Sequence, residues 1–369
     1  MQWDTFMQAD LQYMARALEL GQSVRRHTSP NPWVGAVIVR DGQIIGTGAT
    51  RPPGGLHAEI VALQEAGTAA LGATLYTTLE PCCHVGRTPP CTDAIIAAGI
   101  RRVCLSLLDP DPHVAGRGIE QLEAAGIEVM ADIDIVAGRT QLAAYLHHRI
   151  TGRPYVTVKL AQSLDSSIAA ADRSSQWITG DAARADAHEL RADSDALVVG
   201  SITATLDQPT LTVRGVLDPP SRPPRRVVLD TAGRLPVAGP LFVGPAPLII
   251  TSAADPTVVT GWQDAGAEVA FVPAGYDGVD LDATFLLLGS LGYLSVTIEG
   301  GATLAESVLR DHHAQKLVVY IAPLLLGTRG LPAFSARGPD SLDVAERYQL
   351  VDVRELGDDI RVEYDLTGR

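Results

Sequence analysis

A chain of 369 residues is longer than one ordinary hydrophobic core serves, and its 46% hydrophobic content lets either half bury a core of its own. With 43 acidic against 29 basic residues, the net charge of -14 argues against a polyanion such as nucleic acid as the main partner and leaves small phosphorylated ligands open through local Arg and Lys pockets. No run approaches the ~18 apolar residues of a membrane span, and the first ten residues carry Asp4 and Asp10 where a signal peptide has a basic and then an apolar region, so neither membrane nor export is expected and the reading is cytoplasmic.

Leu11, Met14, Ala15 and Leu18 recur at helical spacing behind Asp10 and predict a first helix, with Gly21 as its stop. An apolar run over 34–39, the turn signal Asp41-Gly42 and a return over 43–46 predict a hairpin. Helices follow at 57–66, 91–98 and 118–125, alternating with strands at 74–79, 102–107 and 127–130, an order that implies one sheet with helices on both faces. A connecting helix over 134–150 leads to Thr151-Gly152-Arg153-Pro154, where the pattern breaks. That break separates a first domain, 1–150, from a second, 154–369.

The second domain repeats strand-like runs at 155–160, 196–200, 226–229, 247–251, 269–272, 295–299 and 317–321. Helical stretches lie between several of them, notably 181–191 and 303–309, with a loop over 215–224 and a hairpin around Gly357-Asp358. It too is an α/β domain.

Three of the four cysteines fall within ten residues, Cys82, Cys83 and Cys91, a clustering that favours metal ligation or catalysis over a disulfide framework in a chain without an export signal. His57-Ala58-Glu59 opens one helix, Pro81-Cys82 ends a strand, and Cys91 opens the next helix. His57, Cys82 and Cys91 form a His/Cys/Cys set that leaves the fourth position of zinc open for water, and zinc lowers the pKa of that water toward ~7. Helix N-termini favour thiolate over thiol. Glu59, two residues from His57 and outside the ligand set, is the candidate general acid-base. The alternative is a closed structural zinc site with Cys83 or His84 as fourth ligand, or simply buried thiols. Cys104 lies inside an apolar run and reads as core.

Cys91 comes nine residues after Cys82, where nucleoside and nucleic-acid deaminases show Cys-x-x-Cys, and the insert is Cys83-His84-Val85-Gly86-Arg87-Thr88-Pro89-Pro90. Here the sequence resembles the bifunctional riboflavin-biosynthesis deaminase-reductases, whose pattern runs PCSHxGRTPPC. Ser29-Pro30-Asn31-Pro32-Trp33-Val34-Gly35 is similar to the HPNPxVG stretch of that family, in which the Asn contacts substrate. The resemblance implies substrate contacts at Asn31 and Arg87, with Thr88 beside them. The chain departs from the family at Cys83 for Ser, at Val85, and at Thr50 for a His seven residues before the first ligand.

No G-x-G-x-x-G follows a strand in the second domain, although Glu299-Gly300-Gly301-Ala302-Thr303 leads from a strand into a helix and brings N–H groups within reach of a phosphate. Resemblance to the same family extends over this half at 158–165, 175–180, 188–191, 195–200, 209–214, 227–230 and 299–301. It implies a dihydrofolate-reductase-like fold and NADPH, contacted at Ala161, Trp177, Thr203, Asp207, Thr231 and the turn Gly301, Ala302 and Thr303. Substrate contacts would fall at Ser175, Arg191, Leu211, Arg214 and Glu299, where Arg191 and Arg214 offer planar donors to a phosphate and Glu299 an acceptor to sugar hydroxyls. Ser166 stands where the family has Gly, Gln208 replaces the residue before Pro209, and the helix end Asp311-His312-His313 lacks the family's usual residues. The adjacent His312 and His313 point apart and do not read as metal ligands.

The expected fold is therefore an N-terminal cytidine-deaminase-like zinc domain followed by a dihydrofolate-reductase-like domain. The expected activities are hydrolytic deamination of a diaminopyrimidinone ribosyl phosphate and NADPH-dependent reduction of its ribosyl group to ribityl, by a homo-oligomer. Two rivals remain: a nucleoside or tRNA deaminase with an unrelated appended domain, and a zinc-stapled ligand-binding protein in which Glu59 is idle. No Arg or Lys is assignable from sequence to a ribose 2′-phosphate.

Overall fold

Short apolar strands alternate with helices from the first residues onward. The computed structural model describes residues 2–85, 89–334, 338 and 340–368. Packing divides the chain into two units, Met1–Gly152 and Arg153–Arg369.

In the first unit the elements run α1 (Gln2–Gln22), α2 (Arg25–Thr28), β1 (Gly35–Arg40), β2 (Gln43–Ala49), α3 (Ala58–Ala66), β3 (Thr74–Thr77), α4 (Cys91–Ala97), β4 (Arg102–Leu105), α5 (Arg117–Ala124), β5 (Glu128–Met130), α6 (Ile135–Gln141) and α7 (Ala143–Thr151). The strands form one sheet in the order β2-β1-β3-β4-β5. Pairing is antiparallel from β2 to β3 and parallel from β3 to β5. Alternation along β1 sends Val37 and Val39 into a buried cluster with Met14 and Ala17 of α1, Tyr76 and Cys104. The opposite face carries α3. Gly48 pairs with Ala36 on that face, and a Cβ there would stand 2.0 Å from the Ala58 carbonyl oxygen, so glycine is what lets α3 lie against the sheet.

Two expectations need correction. Gly21 does not stop the first helix, which runs to Gln22; it lies inside α1, where its bare Cα abuts the Trp33 carbonyl. The connecting helix over 134–150 is two helices, broken at Leu142 with φ -95° and ψ 17°. Leu142 and Tyr145 are both buried at this turn, while Leu142 N–H still donates to the Gly138 carbonyl.

The second unit comprises β6 (Tyr155–Ser163), β7 (Ser167–Ala169), α8 (Asp181–Ala192), β8 (Ala196–Gly200), α9 (Ser201–Leu206), β9 (Arg225–Leu229), β10 (Leu248–Thr251), α10 (Pro256–Asp264), β11 (Glu268–Phe271), α11 (Leu281–Ser290), β12 (Ser295–Glu299), α12 (Ala302–Arg310), β13 (Lys316–Ala322), β14 (Leu331–Pro332), β15 (Gln349–Leu356) and β16 (Asp359–Asp365). Among the described residues its main sheet has the order β11-β10-β9-β8-β12-β6-β13-β16-β15. It is parallel from β11 to β13 and antiparallel through β16 and β15. Val158, Val198, Ile298, Phe285 and Val308 share one buried cluster, so α11 and α12 cover one face. Leu197, Val228, Ile249, Ala204 and Trp262 share another, so α9 and α10 cover the other, where α8 also packs on Val318 and Tyr320. Each fully buried Val, Leu, Ile or Phe among these contributes about 1.5–3 kcal/mol relative to exposure. Helices α10 and α11 had local signals in Asp255 and Asp280, whose carboxylates accept from Thr257 and Ala283 N–H as N-caps. Among the described residues no helix is long and apolar enough to cross a membrane.

Candidate active sites

His57 is the N-cap of α3, extended at φ -75° and ψ 160°, so the helix begins one residue later than expected and His57 projects from its start. Cys91 is the first residue of α4 behind Pro90, and Cys82 lies in the segment that follows β3. His57 Nδ1 stands 3.5 Å from Cys82 Sγ and 3.3 Å from Cys91 Sγ, and the Cys91 N–H donates to Cys82 Sγ at 3.4 Å. The three donor atoms lie within 4.8 Å of one another, the one such cluster found among the described residues. Two soft thiolates and an imidazole nitrogen at this spacing fit zinc with one position left for a small ligand.

The electrostatics agree. Cys82 is drawn down to about 4, first by its hydrogen bond with Cys91 and then, against burial, by His57. The same bond, with burial, pushes Cys91 up, so the two thiols share one proton and a cation among them favours losing both. His57 is raised, chiefly by its bond to Cys82. Glu59, in the first turn of α3 and buried, has its carboxyl pushed up to about 7 by burial and then by the charge of Cys82, with His57 opposing. A carboxyl poised there is suited to both taking and giving a proton near neutrality.

Cys83 and His84 do not join the set. The Cys83 thiol donates to the His113 carbonyl at 3.6 Å, and the His84 ring lies 5.8 Å from that of His113. That disposition disfavours a closed four-ligand site. Asn31 lies in the turn after α2, where its N–H donates to the Thr28 carbonyl. Thr50, at the family's His position, is buried and turned to the backbone: its Oγ1 accepts from Val34 N–H at 3.1 Å. Arg87 and Thr88 lie outside the described residues.

In the second unit the implied contacts fall into bonded pairs. Arg191 of α8 donates from Nε to Glu299 Oε1 at 2.5 Å, from Nη2 to Oε2 at 2.6 Å, and from Nη1 to the Thr212 carbonyl at 3.1 Å. Burial alone would raise Glu299, but Arg191 and then Lys159 hold it below the usual carboxylate range. Ser175 Oγ donates to Asp207 Oδ1 at 2.9 Å. Thr203 sits beside the glycine turn, where a Cβ on Gly301 would stand 2.8 Å from its Oγ1. Gly301 is the N-cap of α12, so Ala302 and Thr303 present the first N–H groups of that helix. Ala161 lies on β6 and Thr231 directly after β9. Trp177 is 67% exposed with the Arg184 guanidinium 4.7 Å from its ring centroid, so it is a surface platform and not core. Arg214 is exposed, its N–H donating to His188 Nδ1 at 3.3 Å.

Two implied roles change in the folded chain. Leu211 is 2% exposed and packs in the core, so any substrate contact there belongs to its backbone, which is held at φ 47°. Arg191 has three donors engaged within the protein, so its first task is to hold Glu299. Ser166, where the family has Gly, adopts φ 64°, and its carbonyl accepts from Ala333 N–H. Serine thus takes up a left-handed turn that glycine enters without steric cost. His312 and His313 lie beyond the end of α12, and neither belongs to the metal-donor cluster.

Lys159 was missed. It pairs with Glu299 across β6 and β12, its Nζ lies 5.6 Å from the Tyr320 ring centroid, and burial lowers its pKa against the pull of Glu299. The signal was present: one lysine inside the apolar strand that begins at Tyr155.

Comparison with known proteins finds two family matches. The cytidine and deoxycytidylate deaminase zinc-binding region matches residues 7–107, and the RibD C-terminal domain matches residues 154–362. The riboflavin biosynthesis protein RibD of Chlamydia muridarum is 39% identical, aligned over 97% of this chain and 96% of its own length. That of Escherichia coli K12 is also 39% identical, over 95% and 98%. Among solved structures, Acinetobacter baumannii RibD superposes with a TM-score of 0.90 at 36% identity, covering 97% of this chain and 99% of that one. A diaminohydroxyphosphoribosylaminopyrimidine deaminase/5-amino-6-(5-phosphoribosylamino)uracil reductase from Thermotoga maritima gives 0.85 at 32% identity, covering 98% and 99%.

Proposed function

Because this chain belongs to the RibD family, and so is a bifunctional deaminase and reductase of riboflavin biosynthesis, we propose that its two units divide the work between the residues described above. The deaminase is the domain 1–150 and the reductase the domain 154–369. The observation that carries the first assignment is the His57, Cys82 and Cys91 cluster with buried Glu59 two residues from one ligand.

In the deaminase, His57, Cys82 and Cys91 hold zinc, which when bound supplies a Lewis acid that makes water nucleophilic near neutral pH. Glu59 accepts one proton from the attacking water and gives it to the pyrimidine ring nitrogen, then takes the remaining proton of the added hydroxyl and gives it to the departing amine. Water adds at the amino-bearing carbon, ammonia leaves, and a ring carbonyl remains. Asn31 and Arg87 are the proposed substrate contacts.

In the reductase, NADPH is the proposed cofactor, a source of hydride when bound, held by Ala161, Trp177, Thr203, Asp207, Thr231 and the α12 start at Gly301, Ala302 and Thr303. Arg214 and Ser175 meet the substrate phosphate and sugar, with the Leu211 backbone beside them. Arg191 fixes Glu299 as an acceptor for sugar hydroxyls. Reduction of a closed ribosyl ring to an open ribityl chain needs a proton at the ring oxygen. Lys159, beside Glu299 and lowered by burial, is suited to give it.

The test is ammonia release from a diaminopyrimidinone ribosyl phosphate by zinc-replete protein, followed by NADPH oxidation with the deaminated product. Folded, zinc-replete protein that releases ammonia from cytidine or adenosine but not from this substrate would overturn the reading.

A further inference from the structure

Glu80 stands two residues before the ligand Cys82 and is buried, yet it takes no part in the chemistry above. Its carboxylate is surrounded by backbone donors. Oε1 accepts from Gly118 N–H at 2.9 Å and Ile119 N–H at 3.3 Å, and Oε2 accepts from Gly116 N–H at 3.0 Å and Asp109 N–H at 3.2 Å. Gly116 is the N-cap of α5, so this side chain satisfies the opening N–H groups of that helix from the segment that follows β3. Its own N–H donates to the Leu107 carbonyl at 2.8 Å. Both the main chain and the side chain of Glu80 are therefore held.

The same helix reaches the third ligand. Gln121 Oε1 accepts from Thr92 Oγ1 at 2.9 Å, and Gln121 Nε2 donates to Asp93 Oδ1 at 2.7 Å, on the two residues after Cys91. Thr92 N–H donates back to the Cys82 carbonyl at 3.2 Å. The contact between α5 and the Cys82 segment is tight: a Cβ on Gly118 would stand 2.4 Å from the Pro81 carbonyl oxygen.

We propose that Glu80 is a positioning residue for the metal centre: by joining the start of α5 to the segment that carries Cys82, it sets the placement of Cys82 against Cys91 and His57. The inference rests on the zinc reading above. A four-acceptor anchor suits this task because a carboxylate has about four lone-pair sites, all used here, whereas a carboxamide of the same shape offers two and turns N–H against N–H.

The experiment uses the full chain loaded with Co²⁺ in place of zinc, and reads the thiolate-to-cobalt and visible bands, zinc release to a chelator, and near-ultraviolet circular dichroism. Glu80→Gln should keep a native dichroism spectrum, shift the cobalt bands, and weaken zinc affinity by about 10- to 100-fold, the range typical of groups that orient metal ligands. Gly118→Ala perturbs the same contact from the other side. Alanine is a better helix former than glycine, so α5 keeps its helical propensity, yet the cobalt bands should shift as the Pro81 segment is pushed away. Unchanged bands and zinc affinity in Glu80→Gln would overturn the proposal. So would zinc loss in Glu80→Gln that only accompanies lost native dichroism, with Gly118→Ala leaving the bands unmoved, because Glu80 would then serve folding alone. Wild-type protein without a thiolate-to-cobalt band would overturn the zinc reading itself, and this proposal with it.

Discussion

Arg191 and Glu299 meet in a two-armed ion pair, with side chains 17% and 11% exposed, and Lys159 stands opposite Glu299 on the neighbouring strand. Removing one member of a buried pair strands the other, at a cost of about 3–5 kcal/mol. Arg191→Ala should therefore destabilise the second unit by that order and depress reductase turnover, not merely weaken substrate binding. Urea unfolding alongside reductase kinetics checks this, and an Arg191→Ala protein of wild-type stability would refute it.

Arg214 is exposed and should behave differently. Arg214→Ala loses charge-assisted hydrogen bonds worth about 1.5–3 kcal/mol, which converts to a rise in reductase KM of roughly 10- to 100-fold at unchanged stability. Deamination should survive. Equal loss of both activities in folded, zinc-replete protein would mean that one shared site performs both reactions.

Glu59→Gln removes the proton carrier while keeping the shape. Zinc content and reductase activity should be retained while deaminase turnover falls by at least ~10²-fold. Near-normal deamination in this variant would take Glu59 out of the mechanism.

Cys83 points to the His113 carbonyl and away from the donor cluster. Cys83→Ser should keep the metal, and Cys82→Ser should lose it, as read by metal analysis after dialysis. If the two variants lose zinc alike, the site is a closed one.

Asp109 carries a pH dependence outside the metal centre. It is buried against Tyr145, whose hydroxyl donates to both carboxylate oxygens, and burial raises it from 3.8 to about 6 against its hydrogen bonds from Asp111 and Tyr145. The folded chain then keeps a proton that the unfolded chain releases near pH ~4, so this group's stabilising contribution is present at low pH and is lost as pH rises from ~4 through ~6. Asp109→Asn should flatten that part of the stability profile. Thermal midpoints of the first unit, measured across the window, would be unaltered in slope if the reading is wrong.

The metal set was legible in the sequence because ligand chemistry is local. His57, Cys82 and Cys91 are metal-ligating residue types at helix starts and in the segment after a strand, with Glu59 two residues after His57, and the turn signals around them mark those places without any knowledge of the sheet. Likewise Asp255 and Asp280 cap α10 and α11 through local side-chain-to-backbone bonds of a kind that sequence alone can signal. The joining of Arg191 to Glu299, 108 residues apart, was another matter. It depends on β8, β12 and β6 lying side by side in one register, which no local propensity encodes. The same register turned Lys159 from a lone charge in an apolar strand into a neighbour of Glu299. Leu211 became core, Gly21 became a contact point, and Glu80 became the anchor of a distant helix for one reason. Each is decided by what packs against it, and long-range packing is settled by the burial of whole apolar faces, a property of the assembled sheet and not of any segment within it.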